Sequence, residues 1–553
     1  MAHRLRRRAM ALLCGTRLYR YTLAGRTPRE FVKNLAIRWP GDAKRGTALL
    51  AGNFYLAGET VRLTAPYAAP TEAGADWLAE FHGFAWLADL ATLGNGEARE
   101  TGRVAIATWI AGNATWHELS WRSDVLAARL VAWVTQFESF FAGGGDDKLR
   151  DALLASLARQ ARHLARVAAW EANGAARLHA LKGLILADVA LGMNERRVAA
   201  ALDQLSRELP LQVRPDGGQV ERSPAVQLIV LRDLVDIRTA LRTAHIVVPE
   251  ALQNAIDRMA PMLRLFRHGD GRLAQFNDTS EEYGALADLL LTRSEVRGRA
   301  PLSAPHSGFQ RLQCGKTIVI VDTGAPPPHG LDHHAHAGTL SFEMSVGRER
   351  LIVNCGAYRG ASPDWRRAAR NTAAHSTAIV ADTNSAAILA DFTIGHRPSV
   401  GTTTRAETEG SLWIAASHDG YAAEFGLTHS RQLFLSADGD DLRGEDNLTA
   451  EEGKTGSAGA AFAIRFHLHP TVQVSLIQDG GAALLRLASG TGFRLRAQGA
   501  QMSLAESIYL GSGEMKKTQQ IVLTSHVGAA PDGTAAATVK WAIRREGKKA
   551  AEE

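Results

Sequence analysis

Sulfur is scarce in this chain. Its 553 residues include three cysteines, Cys14, Cys314 and Cys355. None forms a C-x-x-C pair, and an odd count at wide spacing argues against a disulfide framework and a thiolate zinc site. Long apolar runs are also missing. No stretch approaches the roughly eighteen residues that a membrane-spanning helix needs. Charge of one sign is modest, with 63 Lys and Arg against 57 Asp and Glu, a formal +6. Much of that excess sits in MAHRLRRRAM at the start and REGKKA near the end, which read as solvated tails. No Lys/Arg run carries interleaved aromatics, so nucleic acid is not an expected partner. The apolar run AMALLCG near the N-terminus is short and is followed by RLYRY. It is at best a weak export signal, so the sequence alone leans cytoplasmic.

What is present divides the chain in two. The length exceeds one ordinary core and predicts two or three domains. From about Ala75 to Arg293, apolar residues recur at three and four in segments such as DVLAARLVAWVTQFESFF and RLHALKGLILADVALGM. This is the pattern of antiparallel helical hairpins, and no motif repeats strictly enough for a repeat array. After Pro301 come short β-branched or alternating runs bounded by Gly, Asp, Asn or Pro, among them KTIVIVDTG, RQLFLSADGD and TVQVSLIQDG. They predict an antiparallel sandwich. The expected division is a lead-in over 1–74, helices over 75–300, a sandwich over 301–540 and a charged tail over 541–553. Within the lead-in, WPGDAKRG reads as a turn and LLAGNFYLAGETVRL as a hairpin.

Three segments of the second half stand out: HAHAGTLSFE (334–343), VNCG (353–356) and AAHST (373–377). In the first half the turn DGGQVERSP spans 216–224. In this order they resemble the heparinase II/III-like family of polysaccharide lyases. Members carry H-x-H-x-D before a strand, then a D-x-G turn, then a later His; their helical half carries D-G-x-x-x-E-x-S-P. The resemblance covers roughly 75–530. It implies an α+β chain in which an incomplete α/α toroid is followed by an antiparallel β-sandwich, with a cleft for an acidic polysaccharide. It also implies a cell-envelope or periplasmic setting.

Eliminative cleavage of a uronate glycan needs a base at C5, a partner for the C6 carboxylate and a proton for the departing oxygen. The resemblance puts His334 and His336 on the H-x-H pair and His375 on the later histidine. Some members hold a structural zinc with the second His, the aspartate and the later His. Here those positions are His336, Asn354 and His375, and a neutral amide is a poorer metal ligand than a carboxylate. No cofactor is expected to be required. The Asp of H-x-H-x-D is Gly338. On the helical side the family's Tyr-His pair is replaced by Val226 and Gln227, and its Asn-His pair by Ala175 and Ala176. His179 lies one turn on.

The candidate set is therefore His334, His336, Arg222, Gln227 and Tyr421 for chemistry, with Tyr421 a displaced acid. Gln219, Arg222, His179 and Arg370 are the candidates for holding substrate. Arg222 suits a carboxylate because its fork matches two oxygens. Each has a plainer reading. His329 and His333 flank a Pro-rich surface turn. His334 and His336 share one face if a strand has begun there. His375 is as readily a satisfied core histidine. Arg222 is as readily a brace, and His467 and His469 suggest a structural role. The leading reading is a polysaccharide lyase acting on a uronate-containing glycan. The competing functions are a non-catalytic glycan-binding or polysaccharide-metabolism protein that has lost the helical Tyr-His pair, and a hydrolase resting on carboxylates such as Asp216, Glu221 and Asp278.

Overall fold

The computed structural model describes residues 12–35, 37–142, 147–171, 173–450, 455–530 and 533–547. The basic run at 1–10 and residues 548–553 of the expected tail lie outside them; residues 541–545, expected in that tail, instead complete the strand Ala535–Arg545. The described chain forms two compact units. The first comprises the chain up to Gln212 with Val230–Ile256 and Arg359–Ala361; the second comprises the rest. The protein is α+β: helical hairpins of an incomplete α/α toroid, then an antiparallel sandwich. No described helix is long and apolar enough to cross a membrane.

In the first unit, two long helices are buried on almost every side, as helices at the centre of a helical layer are. Ser123–Phe141 buries Leu126, Leu130 and Trp133, and Gly174–Ala190 buries Leu178, Leu181 and Ile185. Their apolar residues recur at three and four, and the faces between are buried as well, which marks them as core helices. Trp86, Trp109, Trp121 and Trp133 are all core. Arg129 is buried among them, its guanidinium 3.9 Å from the Trp109 ring. Its donors end on Gln160 Oε1, the His82 carbonyl and the Ser120 carbonyl. A buried cation is tolerated when its hydrogens are used in this way. The lead-in departs from expectation in one place. Ala43–Leu50 is a helix and not a turn, because the Asp42 carboxylate accepts from Lys44 and Arg45 N–H groups and caps it. The expected hairpin is there, pairing Asn53–Leu56 with Glu59–Arg62.

The second unit is built on two antiparallel sheets. One runs, edge to edge, through Gln473–Ile477, Ala482–Arg486, Gly492–Gln498, Ala535–Arg545, Asp441–Ala450, Leu427–Leu435, Ser411–Tyr421 and Thr404–Thr408. The other runs through Gln501–Tyr509, Lys516–His526, Ala461–Leu468, Glu349–Val353, Phe342–Val346, Thr317–Asp322, Phe309–Cys314 and Ser303–Ala304. Leu427–Leu435 alternates buried and half-buried residues, whereas Phe342–Val346 is buried on both faces. The first pattern has one face open, the second has both covered. Between the sheets, Trp541 stacks on Phe342 with centroids 5.6 Å apart. Gly444 makes room for it: a Cβ there would lie 2.1 Å from the indole.

Candidate functional site

The histidine-rich segment is a loop. It joins Thr317–Asp322 to Phe342–Val346, and the strand starts only at Phe342. Period-two alternation therefore does not apply to His334 and His336, and they do not share a face. His334 keeps 40% of its side chain exposed, while His336 is buried. His329 and His333 are exposed loop residues, as their Pro- and Gly-rich setting suggests.

His334 has an aspartate partner. Its Nδ1 lies 3.0 Å from Asp278 Oδ2, and its Nε2 lies 4.0 Å from Glu221 Oε2. Arg370 approaches the same Asp278 oxygen at 3.7 Å. A carboxylate on Nδ1 fixes the ring so that Nε2 is the basic nitrogen. The loop carrying Asp278 is unusual. Asn277, Asp278 and Arg222 all have positive φ, at 46°, 61° and 56°. Asn and Asp visit this region readily; for Arg it costs on the order of 1 kcal/mol or more. Asn277 locks the turns together. Its amide donates to the Arg222 carbonyl, and its Oδ1 accepts the His336 N–H.

His336 and His375 form a relay of neutral rings. The Asp278 N–H donates to His336 Nε2 at 3.0 Å. His336 Nδ1 then carries the proton and donates to His375 Nε2 at 3.1 Å. His375 Nδ1 in turn donates to the Asn371 carbonyl at 2.8 Å. Burial holds His336 well below the usual histidine range, with His375 adding to it, and burial lowers His375 to about 4. Asn354 Oδ1 accepts from the Ser376 N–H. In this arrangement the lone pairs that a cation on His336, Asn354 and His375 would use are engaged. Among the described residues no group of three His, Cys, Asp or Glu side chains is placed to hold a metal. Gly338 belongs to the same packing. A Cβ there would come within 2.7 Å of His375 Cδ2, so an aspartate at that position would meet the ring.

Other expected site residues are spent on structure. Arg222 is buried; it donates to the Ser307, Ala325 and Gly308 carbonyls and pairs with Asp322. Its fork braces loops and an internal carboxylate in place of offering itself to a substrate. Gln227 donates to the Gly217 and Met259 carbonyls and accepts the Gln219 N–H. Gln219 accepts the Glu221 N–H and is buried too. Tyr421 is not at a loop tip. It is fully buried, its hydroxyl donates to the Ala378 carbonyl at 2.8 Å, and burial pushes the phenol far up. Arg370 is buried, its Nη1 donating to the Phe392 carbonyl. The plainer reading holds for His467, whose ring is buried between the Ala373 carbonyl and Ser507.

The first unit contains a second histidine–aspartate pair. His179 Nδ1 lies 2.9 Å from Asp233 Oδ2. Lys182 Nζ bridges Asp233 at 2.8 Å and Asp236 at 2.7 Å, and Trp39 Nε1 donates to Asp236. Burial would raise the Asp233 carboxyl; the Lys182 and His179 charges outweigh it and hold the group well below its usual range. Lys182, Asp233 and Asp236 were not among the expected residues. The signal was legible, since His179/Lys182 and Asp233/Asp236 are each spaced by three and so share a helix face.

Residues 71–289 match the heparinase II/III N-terminus and residues 296–544 match the heparinase II/III-like C-terminal domain. The chain is 34% identical over 511 residues to "FtsZ-localized protein C" of Caulobacter vibrioides, covering 88% of this chain and 86% of that one. The chain belongs to the heparinase II/III-like family. Solved structures agree on the fold of this family member. A crystal structure of heparinase III superposes with a TM-score of 0.75 at 14% identity, covering 96% of this chain and 88% of the other. Heparan sulfate lyase HepC from Pedobacter heparinus gives 0.61 at 16% identity, covering 97% and 88%. At such identities the likeness shows the fold alone.

Proposed function

We propose that this heparinase II/III-like protein binds an acidic, uronate-bearing glycan without cleaving it. The observation that carries this reading is the fate of the expected proton donor. Elimination must protonate the departing oxygen, yet Tyr421 is locked on the Ala378 carbonyl inside the sandwich. The residues in the family's Tyr-His places, Val226 and Gln227, are buried, and neither carries an acidic proton. Arg222, the expected carboxylate clamp, is saturated by protein acceptors. His334 remains as a partly exposed group held by a carboxylate, suited to a hydrogen bond or charge contact with an anionic sugar. The His336–His375 relay supports a reading without zinc, because its ring nitrogens already have partners.

The experiment is an absorbance assay for unsaturated uronate on a panel of acidic glycans, run beside a binding measurement. Binding without product supports the proposal; product from any glycan overturns it. One observation favours a second reading, in which the protein is a lyase. The His334–Asp278 pair has the form of an oriented base, and product formation that vanishes in His334→Ala would establish it. The relative's name, FtsZ-localized protein C, supports a role where FtsZ gathers. Imaging of a tagged chain beside FtsZ tests this, and a diffuse signal counts against it.

A further inference from the structure

The second unit holds a cavity of about 690 Å³ that shares no residue with the His334–Asp278 group. Arg214, Arg222, Arg397 and Arg405 line it with His306 and His329, and no carboxylate lines it. That size suits a small-molecule ligand. Two of the four guanidinium groups are neutralised from behind, Arg222 by Asp322 and Arg397 by Asp332. Among the described residues the other two have no carboxylate at ion-pair distance. Arg214 donates to the His306 carbonyl, and Arg405 donates to the Leu302 and Arg311 carbonyls at 3.2 Å each. Burial lowers both below the ordinary arginine range and the neighbouring Arg222 charge lowers Arg214 further, while the more distant Asp216 and Glu407 carboxylates offset part of this at Arg214 and Arg405 respectively.

Residues that line it also carry unused hydrogen-bonding groups just beneath its surface. Arg214 Nε, Arg405 Nη2, Arg397 Nε and Thr323 Oγ1 are buried without a hydrogen-bond partner, and Thr323 is only 3% exposed. Buried donors are normally satisfied, so a cluster of orphans at one cavity needs an explanation. Excess positive charge and unused donors have one common remedy, an oxyanion. Gln310 Oε1 is unpartnered there as well, and turning its amide would present a donor in its place.

We propose that this cavity binds a small, multiply charged oxyanion, with Arg214, Arg405 and Thr323 as its principal contacts. The anionic groups are phosphate, sulfate or carboxylate; all three offer oxygens to a guanidinium edge. The proposal does not depend on the glycan reading, since none of these residues serves it.

The test is calorimetric titration of the full chain at low salt with pyrophosphate, sulfate and citrate, and with glucose as an uncharged control. At least one anion should bind with a submillimolar Kd that weakens as salt is raised. Arg214→Gln and Arg405→Gln should each weaken it about tenfold, as loss of a charged contact to an anion does. Thr323→Val should weaken it a few-fold, and His334→Gln should leave it unchanged. Thr323→Val changes no charge and little volume, so it reports on the cavity if an arginine variant fails to fold; melting curves identify that case. A preference for pyrophosphate or sulfate over citrate names a tetrahedral anion, and the reverse names a carboxylate. Submillimolar binding of none of the anions overturns the proposal. So does equal binding of glucose, wild-type affinity in the folded variants, or equal loss in His334→Gln.

Discussion

Each unit presents a histidine held by an aspartate, and the two pairs are supported by different means. His179–Asp233 sits on long helices, where residues three apart face the same way. Its aspartate is fully buried and shares the Lys182 ammonium with Asp236. His334–Asp278 sits on loops, beside three residues of positive φ. Its aspartate has a neighbouring arginine at 3.7 Å. A buried carboxylate needs a full counter-charge to remain ionised, whereas a rim carboxylate has water to share the work. The helical pair is thus tied to the stability of its unit, and the loop pair is held by turn geometry and can be altered at little structural cost.

Substitutions can break this contrast. The largest effect is expected from Lys182→Met, which leaves Asp233 and Asp236 buried without their ammonium. The loss should be about 3–5 kcal/mol, read from denaturant or thermal unfolding. Restored stability in Lys182→Met/Asp233→Asn/Asp236→Asn would show that stranded charge is the cause. Arg222→Gln comes next. It strands Asp322 and removes carbonyl contacts, for about 2–3 kcal/mol by the same measurement.

Acid should act on the relay. His375 is lowered to about 4 in the fold, below the unfolded value of about 6.5. Above pH 6.5 both states are neutral and nothing changes. As pH falls from 6.5 towards 4, the unfolded chain takes up protons that the fold excludes, and stability falls by on the order of 2–3 kcal/mol for this ring. His375→Gln should flatten that slope. A slope unchanged by the substitution would mean that other rings carry it, such as His82 and His163, both also lowered to about 4 by burial. The smallest effect belongs to the loop pair. His334→Ala should shift stability by less than about 0.5 kcal/mol, while it weakens glycan binding. A large stability loss would erase the distinction between the two pairs.

Much of the architecture was legible because it rests on period. The switch from three-and-four spacing to short alternating runs marks the change from helices to sheets, and most tryptophans of the helical hairpins, Trp86, Trp109, Trp121 and Trp133, fall in the core. The site was less legible because it rests on loops. His334 and His336 look like one face only if a strand has begun, and here the strand waits until Phe342. Asp278 was visible only as one carboxylate among several, and its pairing with His334 was not, because the turn brings together residues 56 apart in sequence, which no local pattern records. Arg222 and Tyr421 were recognisable as chemical types, but nothing in the sequence said that their polar atoms were already engaged. His179, Lys182, Asp233 and Asp236 were readable in pairs on their helices, though the pairing of the two helices was not.

The relay through His336 and His375 runs in one direction. It begins at a peptide N–H, which can only donate, and ends at a carbonyl, which can only accept. Neither end can reverse, so both rings are confined to the Nδ1–H tautomer and neither can turn over without its neighbour. The two imidazoles therefore behave as a ratchet with one allowed setting, and ring-nitrogen resonances in the folded protein should report the same tautomer for both.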